Sequence, residues 1–162
     1  MEKNWGKSFP ESWVWVQALT PDKSVIIAGG PIKLGPLGIV GYVIGYRSGV
    51  QKYDFNPQSL SSTHVTHDAC KGTLFIQSQN KFEKIVIIVR APVESFELVM
   101  CPTEEGFKLT SEESFVGRMT VYFYKRHTIL DSFQIAETSE FQRVGVEYGG
   151  SASCVNRKSL SK

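Results

Sequence analysis

Residues 13–18, Trp13-Val14-Trp15-Val16-Gln17-Ala18, decide the fold class. Successive side chains of a β-strand point to opposite faces, so Trp13, Trp15 and Gln17 share one face while Val14, Val16 and Ala18 share the other. Two indoles and an amide make a surface for something with both apolar and polar edges. The same two-residue period recurs downstream. Met119, Val121 and Phe123 oppose Arg118, Thr120, Tyr122 and Tyr124; Phe96, Leu98 and Met100 oppose Glu97, Val99 and Cys101.

Short runs rich in β-branched and aromatic residues, separated by Gly, Pro, Asn, Asp and Ser, fill the chain, and helical periodicity is nearly absent. Strands are expected near residues 13–19, 24–28, 39–47, 50–55, 73–79, 84–90, 96–101, 117–125, 129–137 and 143–147. Turns at Pro21-Asp22, Arg47-Ser48-Gly49 and Gln79-Asn80-Lys81 suit antiparallel hairpins. Residues 56–63 read as an irregular crossing, with one helical turn after Pro57. Ile85–Val89 and the glycine-spaced Gly38–Gly45 read as strands buried on both faces, Gly41 and Gly45 allowing curvature. The pattern predicts an all-β domain, an antiparallel up-and-down β-barrel over residues 1–150, followed by a flexible polar tail over 151–162. A two-sheet sandwich is the alternative.

The totals narrow the function. The chain has 162 residues, 41% hydrophobic and 21% charged, with a net charge of +2, enough for one folded domain. No basic stripe interleaved with aromatics points to nucleic acid. The longest aliphatic run, residues 85–89, is far below the roughly 20 residues of a membrane-spanning helix. Cys70, Cys101 and Cys154 form an odd set without paired spacing, so all are expected as free thiols in a reducing compartment. With Met1 against the first motif, no secretory leader is expected. His64-Val65-Thr66-His67 invites a metal reading, but residues three apart on a strand face opposite ways, so neither a metal nor a cofactor is expected.

Beyond these patterns, the order of several motifs resembles the tocopherol cyclase family. The opening Glu2-Lys3-Asn4-Trp5-Gly6, Ser8-Phe9-Pro10 and Trp13–Gln17 carry the most specific block. Ala28-Gly29-Gly30, Gly45-Tyr46-Arg47-Ser48-Gly49, Tyr53-Asp54-Phe55, Arg90-Ala91-Pro92, Gly117-Arg118-Met119 and Val146-Glu147-Tyr148-Gly149-Gly150 follow in order. The resemblance spans about residues 2–150 and concerns the C-terminal of two lipocalin-like halves.

That resemblance implies the proton-initiated closure of a prenylated hydroquinone to a chromanol, with this chain supplying one half of the pocket. The alternative is a lipocalin-type module that binds an apolar quinone or isoprenoid without turning it over. The chemistry needs a general acid in a dry pocket, aromatic faces for a developing cation and an apolar slot for the tail. In the matched blocks Glu2 and Asp54 are the expected acids, with Glu147 a further carboxylate near the end of the fold. Trp13, Trp15, Gln17, Tyr42, Tyr46, Tyr53 and Arg90 are the expected substrate contacts. Asn4, Trp5 and Phe9 are expected where a companion half or a second copy would dock, with at least one of the indoles uncovered. The family location implies a plastid-type compartment; a native start at Met1 implies the cytoplasm, with the protein soluble or membrane-peripheral.

Overall fold

The computed structural model of the protein describes residues 9–34 and 37–155. Its strands are β1 (Ser12–Leu19), β2 (Lys23–Leu34), β3 (Leu37–Ser48), β4 (Gln51–Phe55), β5 (Ser62–Asp68), β6 (Thr73–Gln79), β7 (Glu83–Arg90), β8 (Glu97–Thr103), β9 (Gly106–Lys125) and β10 (Gln134–Gly150). They form one antiparallel 10-stranded sheet in the order β4-β3-β2-β1-β10-β9-β7-β6-β5, with β8 pairing the first half of β9. Among the described residues, the 3-10 helices are single turns at Pro57–Ser59, Ala69–Lys71 and Val93–Ser95. The expected all-β antiparallel class is what forms.

The sheet joins the two ends of the chain, β1 to β10, as an up-and-down barrel does. It does not close by hydrogen bonds: β4 and β5 lie at its two edges. The segment between them folds on itself. Asn56 caps the turn at Pro57–Ser59 with its side chain, and Leu60 follows at φ 54°, a left-handed residue that ends it. The sheet nonetheless rolls until distant strands touch. Tyr53 on β4 packs against Phe123 on β9 with centroids 4.3 Å apart, and His67 on β5 stacks on Tyr148 of β10 at 5.7 Å.

On β1 and β9 alternation separates the faces as the sequence predicts; on β8 it does not, Leu98 and Met100 being exposed and Cys101 buried, and on β3, expected to be buried on both faces, Val40 and Val43 are exposed. Val14, Val16 and Ala18 are buried with Ile27, Ile44, Ile76, Ile85, Ile87, Val89, Met119, Val121 and Phe123. Bulky rings fill that side: Tyr46, Tyr148, Phe55, Phe123 and Phe141 are each under 2% exposed or at that level. The Tyr46 hydroxyl bonds the Ser139 hydroxyl at 2.9 Å, and Lys23 donates to Ser139 while ion-pairing with Glu137.

Several strands run past their expected bounds: β2 continues to Leu34, β9 begins at Gly106 rather than Gly117, and the strands expected at 129–137 and 143–147 are one, β10. β5 is unexpected, its first two residues falling in the segment read as a crossing. No helix among the described residues is long and apolar enough to span a membrane. The cysteine expectation is overturned: Cys70 and Cys154 are joined by a disulfide, and Cys101 alone is free. Spacing cannot reveal this pair, because it is brought together by the end of β10 lying beside the turn at Ala69–Lys71. Cysteine count therefore no longer argues for a reducing compartment. Residues 152–154, placed in the expected tail, are buried, with the Cys154 amide donating to Glu112 Oε1 at 2.6 Å.

Candidate functional site

The outer face of β1, β10, β9 and β8 carries a row of directly opposed residues: Trp15, Glu147, Glu113 and Glu97. Glu147 is held in place by two donors. Trp13 Nε1 reaches its Oε1 at 2.9 Å and the Ser111 hydroxyl reaches the same oxygen at 2.6 Å. Such hydrogen bonds to a charged acceptor are stronger than neutral ones. Burial pushes the Glu113 carboxyl above the usual carboxylate range, and the neighbouring charges of Glu147 and Glu97 push it further. Glu113 thus stands in an environment that favours its protonated form, beside the hydrogen-bonded Glu147.

Aromatic rings frame the row. Trp15 and Phe115 both lie over Gly145, where an added Cβ would stand 3.3 Å from each ring. Trp13 lies over Gly149, which leaves no room for a side chain there. Phe9 stacks on Trp13 with centroids 4.9 Å apart, and its amide donates to the Pro102 carbonyl at 3.3 Å. Trp13 is therefore 9% exposed although it faces away from the core. An open cleft of about 770 Å³ continues from it, walled by Phe9, Pro10, Pro31, Pro102 and Thr110. Cys101 is buried nearby, and that burial raises its thiol.

The remaining expected residues are distributed as follows. Glu2, Asn4 and Trp5 lie outside the described residues. Trp15 is half-buried, which answers the expectation of an incompletely covered indole; Gln17 is exposed on the same outer face. Asp54 is exposed on β4, at the far end of the outward row Gln17, Ile26, Gly45, Asp54. Three strand spacings put it roughly 14 Å from Gln17. Tyr42 packs on Gly29, and burial raises its hydroxyl. Tyr46 and Tyr53 belong to the inner aromatic cluster, Tyr53 accepting from Lys125 Nζ at 2.9 Å. Arg90 is exposed at the end of β7, opposite Arg118. His64 is exposed and His67 turns inward, and no cluster of metal-ligating residues occurs among the described residues.

The structure thus brings Phe9, Trp13 and Trp15 together with Glu147 and leaves Asp54, Arg90 and the tyrosines elsewhere. Glu113, Glu97, Ser111 and Phe115 are the additions. The signal that could have found Ser111, Glu113 and Phe115 was their alternation, in a segment to which no strand was assigned.

A family model described as tocopherol cyclase-like matches residues 1–150. No curated protein and no solved structure matches the chain.

Proposed function

The chain belongs to the tocopherol cyclase-like family, and from that membership we propose that it takes part in the proton-initiated closure of a prenylated hydroquinone to a chromanol. The observation that carries this reading is the pairing of Glu113, raised by burial and like charge, with Glu147, anchored by Trp13 and Ser111, beside two aromatic faces. Glu113 gives its proton to the less substituted carbon of the prenyl double bond. The tertiary cation that results is met by the carboxylate of Glu147 and the rings of Trp15 and Phe115. The phenol oxygen attacks that cation, and the phenolic proton passes to Glu113, restoring it. The isoprenoid tail lies in the cleft between Phe9, Pro31 and Pro102. This chain supplies one half of the pocket, and the companion half implied by the resemblance supplies the cover.

One observation favours the second reading, capture of an apolar quinone without turnover. Phe115 is 59% exposed, so the row is wetter than alkene protonation needs. Incubation with a prenylated benzoquinol separates the readings. Chromanol formed by the parent and lost in E113Q supports catalysis. Saturable binding without product supports the binding module.

A further inference from the structure

Three arginines come together on the outer face, on a different stretch of β9 from the carboxylate row. Arg90 on β7 stands directly opposite Arg118 on β9, which in turn stands opposite Gln142 on β10. Arg143 follows in a bulge, where the register passes from Gln142–Arg118 to Val144–Gly117. The inward neighbours Val89, Met119, Phe141 and Val144 are all buried. Phe141 and Val144 are three apart and can both face inward only because an extra residue is inserted, which sets Gln142 and Arg143 together on the outer side.

This arrangement is unfavourable by itself. Like charges directly opposite on neighbouring strands repel. Arg143 holds φ 57°, a left-handed conformation that L side chains avoid. Among the described residues, no hydrogen bond or ion pair engages any of the three guanidinium groups. Asp68, on the same row beyond Thr73, pairs with Lys71 at 3.2 Å. Glu140, two positions before Gln142 on the same face, makes no ion pair. Strain and unpaired charge held at one place are what a ligand site retains.

We propose that Arg90, Arg118 and Arg143 form a binding site for a phosphoryl oxyanion. Three cations call for a multiply charged partner. A phosphate monoester carries nearly two negative charges and three acceptor oxygens, which planar guanidinium forks engage in pairs. A carboxylate, with one charge and two oxygens, leaves at least one arginine unmatched. The Thr73 hydroxyl, beside Arg90 in register, adds a neutral donor; the two border a cleft of about 320 Å³ that the Asp68 carboxylate also lines and that does not reach Arg118 or Arg143.

The test titrates inorganic phosphate into isotopically labelled protein at constant ionic strength. The Nε–H resonances of the three arginines should shift together and saturate. R143G should weaken that binding by roughly tenfold, the effect of removing one charge-assisted contact. Glycine accepts the left-handed conformation, so R143G should melt no lower than the parent, and R118Q provides a second variant with the same expected loss. A second arm sediments the protein with phosphatidylcholine vesicles, with and without phosphatidic acid. Saturable phosphate binding without vesicle capture assigns the site to a free anion. Capture that requires phosphatidic acid and falls in R143G assigns it to a lipid headgroup. The proposal is overturned if chloride reproduces the shifts, if both variants bind like the parent, or if neither probe binds. None of these results bears on chromanol formation, so this site and the ring-closure reading fail separately.

Discussion

Replacing Gly149 with alanine should displace Trp13 and damage the candidate site without touching a carboxylate. A Cβ at Gly149 would stand far inside contact distance of three atoms of the six-membered ring of the Trp13 indole. The backbone cannot give way easily, because β1 is paired on both sides, to β10 and to β2. The indole must therefore swing off, breaking its 2.9 Å bond to Glu147. A hydrogen bond to a charged group contributes roughly 1.5–3 kcal/mol. Overpacking adds roughly 1–3 kcal/mol, and the lower chain entropy of unfolded alanine returns less than about 1 kcal/mol. The net loss is roughly 1.5–5.5 kcal/mol, which lowers the midpoint of a domain this size by about 3–22 °C. Thermal unfolding followed by near-ultraviolet circular dichroism reads the loss, and red-shifted tryptophan emission reports the displaced ring. In a W13F background the same alanine should do less harm, with a coupling of at least about 1 kcal/mol. A G149A protein within about 0.5 kcal/mol of the parent, with unchanged emission, would refute the reasoning.

The other expectations are simpler. Denatured without reductant, the chain should titrate a single thiol, Cys101, and C70S/C154S should lose about 4 kcal/mol for a bridge across 84 residues; three thiols before reduction would remove the bridge. Tyr148 has a fully buried hydroxyl with no hydrogen-bond partner among the described residues, so Y148F should be neutral or stabilising by about 1 kcal/mol in urea unfolding. A loss above that amount would reveal a hidden acceptor. Glu113 has a raised pKa in the folded state, so it holds a proton that the unfolded chain releases. Stability should fall as pH rises from the ordinary carboxylate range through the raised value, and E113Q should flatten that slope. Urea midpoints measured across the interval decide it, an unchanged slope counting against the assignment.

How much of this was legible in the sequence depends on which residues carried it. The alternation of Trp13, Val14, Trp15 and Val16 announced a strand and separated its faces correctly. It could not say that the indole face would be turned outward, because a two-residue period fixes faces and not what covers them. Trp13 is buried there by Phe9 and by the bare backbone of Gly149, neither of which its own strand encodes. The first half of β9 was assigned no strand because Lys108, Thr110, Glu112 and Glu113 give it strong polarity, and Glu113 was lost with it. Burial raises its carboxyl first, and Glu147 and Glu97, contributed by two other strands, raise it further. β5 was missed for a similar reason: Ser, Thr and His on an edge strand carry little apolar alternation. The seam between β4 and β5 has no local signature at all.

Proton transfer from Glu113 to a prenyl double bond is the central claim, and a turnover of a prenylated benzoquinol in deuterated water tests it most directly. The parent protein should form a chromanol carrying one solvent-derived deuterium on the carbon next to the new quaternary centre, and E113Q should not. A product without that deuterium, or one formed equally well by E113Q, would contradict it.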